Sequence, residues 1–320
     1  MTRIAVLDDY LDVVKSQGDW ASLGGDCQVS FFRQNLASVE DAARQLAPFE
    51  VLSLMRERMP LPRALIEKLP NLKLVITTGG RNRSIDVAAC KERGIVVCGT
   101  RSADPAPTVD VAWWLILSAA RNLHREERHM RAGGWQEKLG FSVAGLTLGL
   151  IGFGNLGQRV AKVGQAFGMK TIAWSQNLTE EKAAAGGARL VSKDELLSQA
   201  DVMSIHLVLS DRSRDLIGAR EFGLMKPKAI LVNTSRGPII NEEAMIEALK
   251  TKRIHAVGLD VYNVEPLPPN HILRSFDNAV LSPHLGYATQ VNFKTYYADT
   301  IEAIKAWRAG TPVPRLIESD

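Results

Sequence analysis

Leu148-Gly149-Leu150-Ile151-Gly152-Phe153-Gly154-Asn155-Leu156-Gly157 decides the fold: an apolar run breaks into three glycines spaced G-x-G-x-x-G, and helical periodicity follows from Gln158 to Phe167. Each glycine answers a separate demand. Gly152 permits a tight turn, Gly154 lets backbone approach a pyrophosphate, and Gly157 lets the next helix pack closely on its strand. A helix from about Asn155 would aim its free first-turn amides at phosphate, which makes Asn155 and Leu156 candidate cofactor contacts beside the three glycines. The strand before and the helix after separate this pattern from a glycine turn of purely structural origin.

Working outward, 320 residues with 46% hydrophobic side chains suffice for two well-filled domains. The N-terminus, Met1 to Asp9, enters a strand-like run without the apolar segment and cleavage site of a secretory signal. The longest apolar run, Val109 to Ala120, contains Asp110 and falls short of the roughly 20 residues a membrane span needs. A cytoplasmic chain with no membrane partner is expected. Cys27, Cys90 and Cys98 are scattered, with no C-x-x-C pair and no histidines at metal-ligand spacing, so buried thiols and no metal site are expected. The net charge of +4 is interspersed rather than gathered into a basic stripe with aromatics, which argues against nucleic acid as a partner. The mixed-sign stretch Arg121 to Arg131 reads as a solvated helix face.

Before the glycine turn, strand-like runs at Ile4–Leu7, Val29–Phe32, Val51–Met55, Leu72–Thr77 and Ile95–Cys98 alternate with amphipathic stretches at Val39–Leu46, Arg63–Leu69 and Asp86–Arg93. Alternation of this kind predicts a parallel sheet covered on both faces. Gly, Pro, Ser and Asp gather between Gly99 and Pro107, a hinge-like approach to one long helix predicted from Val109 to Arg131 and stopped at Gly133-Gly134. A second series follows, with strands at Leu146–Ile151, Thr171–Trp174, Val202–Leu207, Ala229–Asn233, Ala256–Leu259 and Ala279–Leu281. A last helix, Tyr287 or Ala288 to Trp307, is expected to return to the first domain. The fold class is therefore α/β, with two doubly wound parallel-sheet domains and a cleft between them: residues 1–100 with 287–320, and residues 101–286.

Ligands of open α/β sheets bind beyond the carboxyl ends of the strands. Three successive strands of the second series end in ionisable side chains. Arg236 follows Asn233-Thr234-Ser235, and its guanidinium suits a carboxylate, although a surface arginine would read the same. Asp260 and Glu265 follow Leu259, and His284 stands in Ser282-Pro283-His284-Leu285-Gly286. A lone histidine is usually a satisfied turn residue; beside an arginine and a glutamate at equivalent strand ends it becomes a candidate proton carrier.

With these segments the chain resembles the D-isomer-specific 2-hydroxyacid dehydrogenases along essentially its whole length. The resemblance is carried by Gly152 to Gly157, Leu231 to Gly237, Gly258-Leu259-Asp260-Val261 with Glu265-Pro266, and Ser282-Pro283-His284. It implies a flavodoxin-like substrate domain, a Rossmann nucleotide domain, and Arg236, Glu265 and His284 as the catalytic set. His284 would protonate the carbonyl oxygen of a 2-oxo acid. Glu265 on the far ring nitrogen would favour the imidazolium, and Arg236 would clamp the substrate carboxylate. Thr234 and Asp260 fall among the cofactor contacts. The resemblance also places substrate carboxylate on the glycine loop Gly79-Gly80-Arg81, where Arg81 and the nearby Arg83 depart from the usual pattern, and makes Arg56 a further substrate candidate.

A second departure concerns the cofactor. A carboxylate for the ribose 2′-hydroxyl normally lies about 20 residues beyond the glycines; here Ser175-Gln176-Asn177 stand instead, with Lys182 the nearest downstream cation. NAD is favoured and NADP remains open. The resemblance further implies a homodimer formed through the long helix, with Trp113 and Trp114 available to an interface or to the core. A nucleotide-sensing corepressor of the same fold is the second reading. Glyoxylate, hydroxypyruvate, 3-phosphoglycerate and larger acids all remain open as the small-molecule 2-oxo or 2-hydroxy acid. An end at Asp320, without an added regulatory domain, weighs mildly against phosphoglycerate.

Overall fold

A computed structural model describes residues 1–36, 38–101 and 104–318 of the chain. The chain divides into two compact units, Met1–Asp104 with Ala288–Asp320, and Pro105–Tyr287. Residues 102 and 103 of the proposed hinge lie outside the described residues.

The first unit holds a five-stranded sheet, β1 (Thr2–Val6), β2 (Cys27–Phe31), β3 (Val51–Leu54), β4 (Leu74–Thr77) and β5 (Val96–Gly99), in the order β2-β1-β3-β4-β5. All four ladders are parallel. β3 and β4 are buried along their whole length, which is why their sequences run apolar without alternation. The helix Val39–Leu46 begins where Ser38 Oγ accepts from the Asp41 amide at 3.1 Å, a cap that contributes about 1 kcal/mol. The C-terminal helix Gln290–Arg308 belongs to this unit and buries Tyr296 and Tyr297 completely.

In the second unit β6 (Thr147–Ile151), β7 (Lys170–Trp174), β8 (Arg189–Leu190), β9 (Val202–Ile205), β10 (Ile230–Asn233), β11 (Ala256–Leu259) and β12 (Ala279–Leu281) form one sheet, ordered β12-β11-β10-β9-β6-β7-β8. Its ladders are parallel too. Two doubly wound parallel sheets are thus present, as the alternation predicted.

One helix differs from expectation. The span from Val109 to Arg131 is two helices, Ala106–Arg121 and Leu123–Arg131, broken at Asn122 with φ 55°. Asparagine tolerates this left-handed conformation better than most residues, and it ends the first helix as a glycine would. The second helix buries none of its side chains. All three cysteines are free; burial pushes the Cys90 thiol up to about 11 and the Cys98 thiol up to about 12, which leaves both inert near neutrality. Among the described residues no helix is long and apolar enough to cross a membrane.

Candidate active site

The strand order of the second sheet reverses between β6 and β9, the position where such sheets open a ligand crevice. Gly152 follows β6 with φ 97°, and a Cβ there would lie 2.6 Å from the His206 carbonyl oxygen. A Cβ on Gly157 would lie 2.3 Å from the Gly152 oxygen, so helix and turn touch through backbone alone. On Gly154 a Cβ would meet nothing within 4 Å. That residue begins the helix Asn155–Ala166 without a side-chain cap, which leaves first-turn amides for a ligand. His206, just past β9, has both ring nitrogens buried without a hydrogen-bond partner among the described residues, and burial pushes its imidazole down to about 4. The ring is neutral at ordinary pH. An open glycine cradle, an uncapped helix start and an orphaned imidazole fit a bound dinucleotide. At the end of β7 Ser175 is half-buried, while Gln176, Asn177 and Lys182 are exposed.

Three neighbouring strands then carry the ionisable groups. After β10, the Asn233 side chain turns the chain by accepting from the Ser235 amide and donating to the Arg236 carbonyl, both at 2.9 Å. Arg236 is half-buried and its Nη1 donates to the Ser235 carbonyl at 2.7 Å. Gly237 has no room for a side chain, since a Cβ would fall 2.2 Å from the Tyr262 carbonyl carbon. This contact seats the Arg236 loop against the segment after β11. Thr234 is buried with its hydroxyl unpartnered.

After β11, Asp260 is fully buried, and both its oxygens accept from the loop that carries His284. Oδ1 takes the Leu285 amide at 2.7 Å and the Ser282 hydroxyl at 2.5 Å, and Oδ2 takes the Gly286 amide at 2.9 Å. These bonds hold His284 at φ 56°. Its Nδ1 lies 2.6 Å from Glu265 Oε2, whose other oxygen accepts from the Tyr262 amide at 3.0 Å. Because Nδ1 is committed to Glu265, proton exchange falls to Nε2. Tyr287 stands edge-on to the imidazole at 5.4 Å. The structure thus brings Glu265, His284 and Asp260 together.

Sequence reasoning passed over Tyr262. Its hydroxyl donates to the Leu259 carbonyl at 3.2 Å and the Ser282 carbonyl at 2.9 Å, stapling the ends of β11 and β12. The only hint was its place inside the Asp260-to-Glu265 interval.

In the first unit, Arg56 follows β3 with φ 50°, its amide donating to Thr78 Oγ1 at 3.0 Å and its carbonyl accepting from Asn82 Nδ2 at 2.5 Å. Nη1 lies 3.5 Å from the buried Tyr296 hydroxyl and 3.3 Å from where a Cβ on Gly79 would stand. The Gly79 amide is already committed to Thr100 Oγ1 at 2.7 Å, so it is not a free anion donor. Gly80 is exposed, as are Arg81 and Arg83. Among the described residues no group of three His, Cys, Asp or Glu could hold a metal.

A dinucleotide crevice whose strand ends carry an arginine and a paired histidine and glutamate defines a nicotinamide-dependent oxidoreductase. Residues 113–286 match the family model for the D-isomer specific 2-hydroxyacid dehydrogenase, NAD binding domain. The chain belongs to that family, and this segment is its NAD-binding domain. It is 37% identical over 265 residues to a glyoxylate reductase of Aeropyrum pernix, covering 80% of this chain and 79% of that one. To a hydroxypyruvate reductase of Thermotoga maritima it is 36% identical over 255 residues, covering 78% and 82%. A crystal structure of a phosphoglycerate oxidoreductase from Vibrio cholerae is similar with TM-score 0.92 and 33% identity, covering 97% of this chain and 100% of that one.

Proposed function

We propose that the chain reduces a short 2-oxo acid to the D-2-hydroxy acid, reversibly, with His284 as the proton donor. The observation that carries this reading is the 2.6 Å contact of His284 with Glu265 at neighbouring strand ends, on the sheet edge that also bears the glycine turn. Bound NADH supplies the hydride. As the carbonyl oxygen gains charge, His284 Nε2 donates its proton while Glu265 holds the ring through Nδ1. Asp260 and Tyr262 position the ring by fixing its loop. Arg236 holds the substrate carboxylate and polarises the carbonyl, so the reacting carbon keeps one orientation. Thr234 lies with Arg236 on the same turn and offers its unpartnered hydroxyl to the cofactor. In the first unit Arg56 and the exposed Gly80 take the substrate carboxylate, Gly79 supplying the turn and Arg81 an outlying cation.

Similarity to glyoxylate, hydroxypyruvate and phosphoglycerate oxidoreductases favours an enzyme over a corepressor and leaves the acid, phosphorylated or not, to experiment. The absence of a carboxylate at Ser175, Gln176 and Asn177 supports use of NADP beside NAD. A homodimer is supported by the apolar surface of the 106–141 stretch, where Trp114 is 46% exposed, Trp135 72% and Leu139 100%. Free thiols agree with a reducing cytoplasm. The deciding experiment is turnover of glyoxylate, hydroxypyruvate, 3-phosphohydroxypyruvate and pyruvate with NADH and NADPH in parallel. No turnover with any of them refutes the reading. Sedimentation of Trp114→Glu against the parent tests the dimer: an unchanged mass would reject this surface.

A further inference from the structure

In the first sheet the order β2-β1-β3-β4-β5 reverses between β1 and β3, so its ligand crevice opens beyond the ends of those two strands. Val6 pairs with Ser53, which sets Asp8 level with Met55 and one residue short of Arg56. Asp8 is 4% exposed and has φ 60°. Its Oδ1 accepts from the Tyr10 hydroxyl at 2.9 Å, and its Oδ2 is buried without a partner among the described residues. Tyr10 itself is exposed, and the Arg58 guanidinium stacks over its ring at 4.9 Å. Asp8 and Arg56, at the ends of these two paired strands, both take left-handed backbone. Such clustering of strained residues is a mark of ligand sites, and a buried oxygen without a donor calls for one.

The missing group is a hydrogen-bond donor. A hydroxyl fits, because it donates to a carboxylate as the Tyr10 hydroxyl does on the other oxygen; a phosphate or second carboxylate would meet the Asp8 charge with its own. Reach agrees as well. Arg56 follows β3, the strand paired with β1, and adjacent strands stand about 4.8 Å apart, a spacing that the three atoms from the carboxylate carbon to a 3-hydroxyl oxygen can bridge. We propose that Asp8 is a specificity-determining residue that accepts a hydrogen bond from a hydroxyl on the carbon next to the oxo group, selecting 3-hydroxylated 2-oxo acids over glyoxylate. The inference rests on the reading that Arg56 and the Gly79-Gly80 loop hold the substrate carboxylate.

The experiment measures kcat/KM for hydroxypyruvate, glyoxylate and 3-phosphohydroxypyruvate, with NADH, in the full chain and in Asp8→Asn. The ratio of hydroxypyruvate to glyoxylate should fall at least tenfold in the variant, mainly through KM for hydroxypyruvate, while the phosphorylated acid gains relative to both. Asp8→Ser, which also removes the carboxylate, should carry the same signature and replaces the first variant if that one does not fold. A ratio that moves less than twofold, or a loss in kcat shared equally by all three acids, overturns the inference and leaves the reductase reading intact. Failure of the unmodified chain to reduce any of the three overturns the inference, and failure on pyruvate as well overturns both. A parent enzyme that prefers the phosphorylated acid overturns the inference alone.

Discussion

Replacing Asp8 with Asn should make the protein more stable, by an amount that depends on pH. Burial, only partly offset by the Tyr10 hydrogen bond and the Arg58 charge, raises the Asp8 carboxyl from 3.8 to about 6. A folded value above the unfolded one means that the fold prefers the protonated acid. The cost of holding the carboxylate is therefore absent below pH 3.8, grows as pH rises through the interval to about 6, and is constant above it. A shift of this size amounts to about 3 kcal/mol. Asparagine keeps the oxygen that accepts from Tyr10 and drops the charge, but sets an NH2 in the buried Oδ2 position at a pH-independent cost of about 1–2 kcal/mol, so the variant should gain about 1–2 kcal/mol at pH 8 and about 1.5 kcal/mol less at pH 5. Urea denaturation followed by tryptophan fluorescence at both pH values measures it, and taking variant minus parent cancels the other titrating groups. A gain that is the same at both pH values, or a loss at pH 8, would refute the argument. A gain bought in this way at the expense of hydroxypyruvate selectivity is the pattern expected of a residue kept for function.

His284→Ala should lower kcat by about 10²–10⁴-fold, the usual contribution of a positioned acid, with NADH affinity by fluorescence titration retained; near-parental kcat would end the proton-donor assignment. Arg236→Gln removes a charge-assisted carboxylate contact and should cost about 100-fold in kcat/KM for the oxo acid, so an unaltered value would dismiss the clamp. Asp260→Asn sets an amide NH2 against the Leu285 or Gly286 amide or the Ser282 hydroxyl, losing about 2 kcal/mol. Melting temperature and kcat should drop together, and if neither moves the loop is not held this way. His206→Phe should weaken NADH binding measured at equilibrium without changing the mass of the protein, since it removes the orphaned ring nitrogens beside the glycine turn; equal affinity would leave those nitrogens without a role in cofactor binding.

Much of this organisation is legible in the sequence because strands end abruptly. Val232-Asn233, Leu259-Asp260 and Leu281-Ser282 each pass from apolar residues to polar ones in a single step, and parallel strands place all such steps on one edge. Arg236, Glu265 and His284 stand out for that reason. His206 does not, since one histidine between Ile205 and Leu207 reads as strand interior until its nitrogens are seen to lack partners. Asp8 was hidden differently: its neighbours Tyr10 and Arg58 are a turn away and a whole βαβ unit away, and only strand pairing brings β1 and β3 side by side. The break at Asn122 coincides with the change from the apolar run Val109–Ala120 to the charged stretch ending at Arg131, but both sides favour helix, so the two read as one element.

The two crevices share a construction principle. At each, a residue other than glycine sits in the left-handed region beyond a strand, a conformation that costs roughly 1–2 kcal/mol without compensation. For His284 the compensation is Asp260, which binds the two amides that follow it. For Arg56 it is Thr78 on the residue's own amide and Asn82 on its carbonyl. Asp260 and Thr78 stand at the ends of neighbouring strands, and Asn82 is tied to the end of β4 by its bond to Thr77 Oγ1, so the sheet holds the functional side chain in one orientation. Asp8 breaks the rule: its left-handed backbone comes with a carboxylate oxygen that no described residue satisfies. Where the sheet supports the strain the side chain is held in a fixed pose; where it leaves an oxygen over, a donor from outside the fold completes the site, and we assign that place to a substrate hydroxyl.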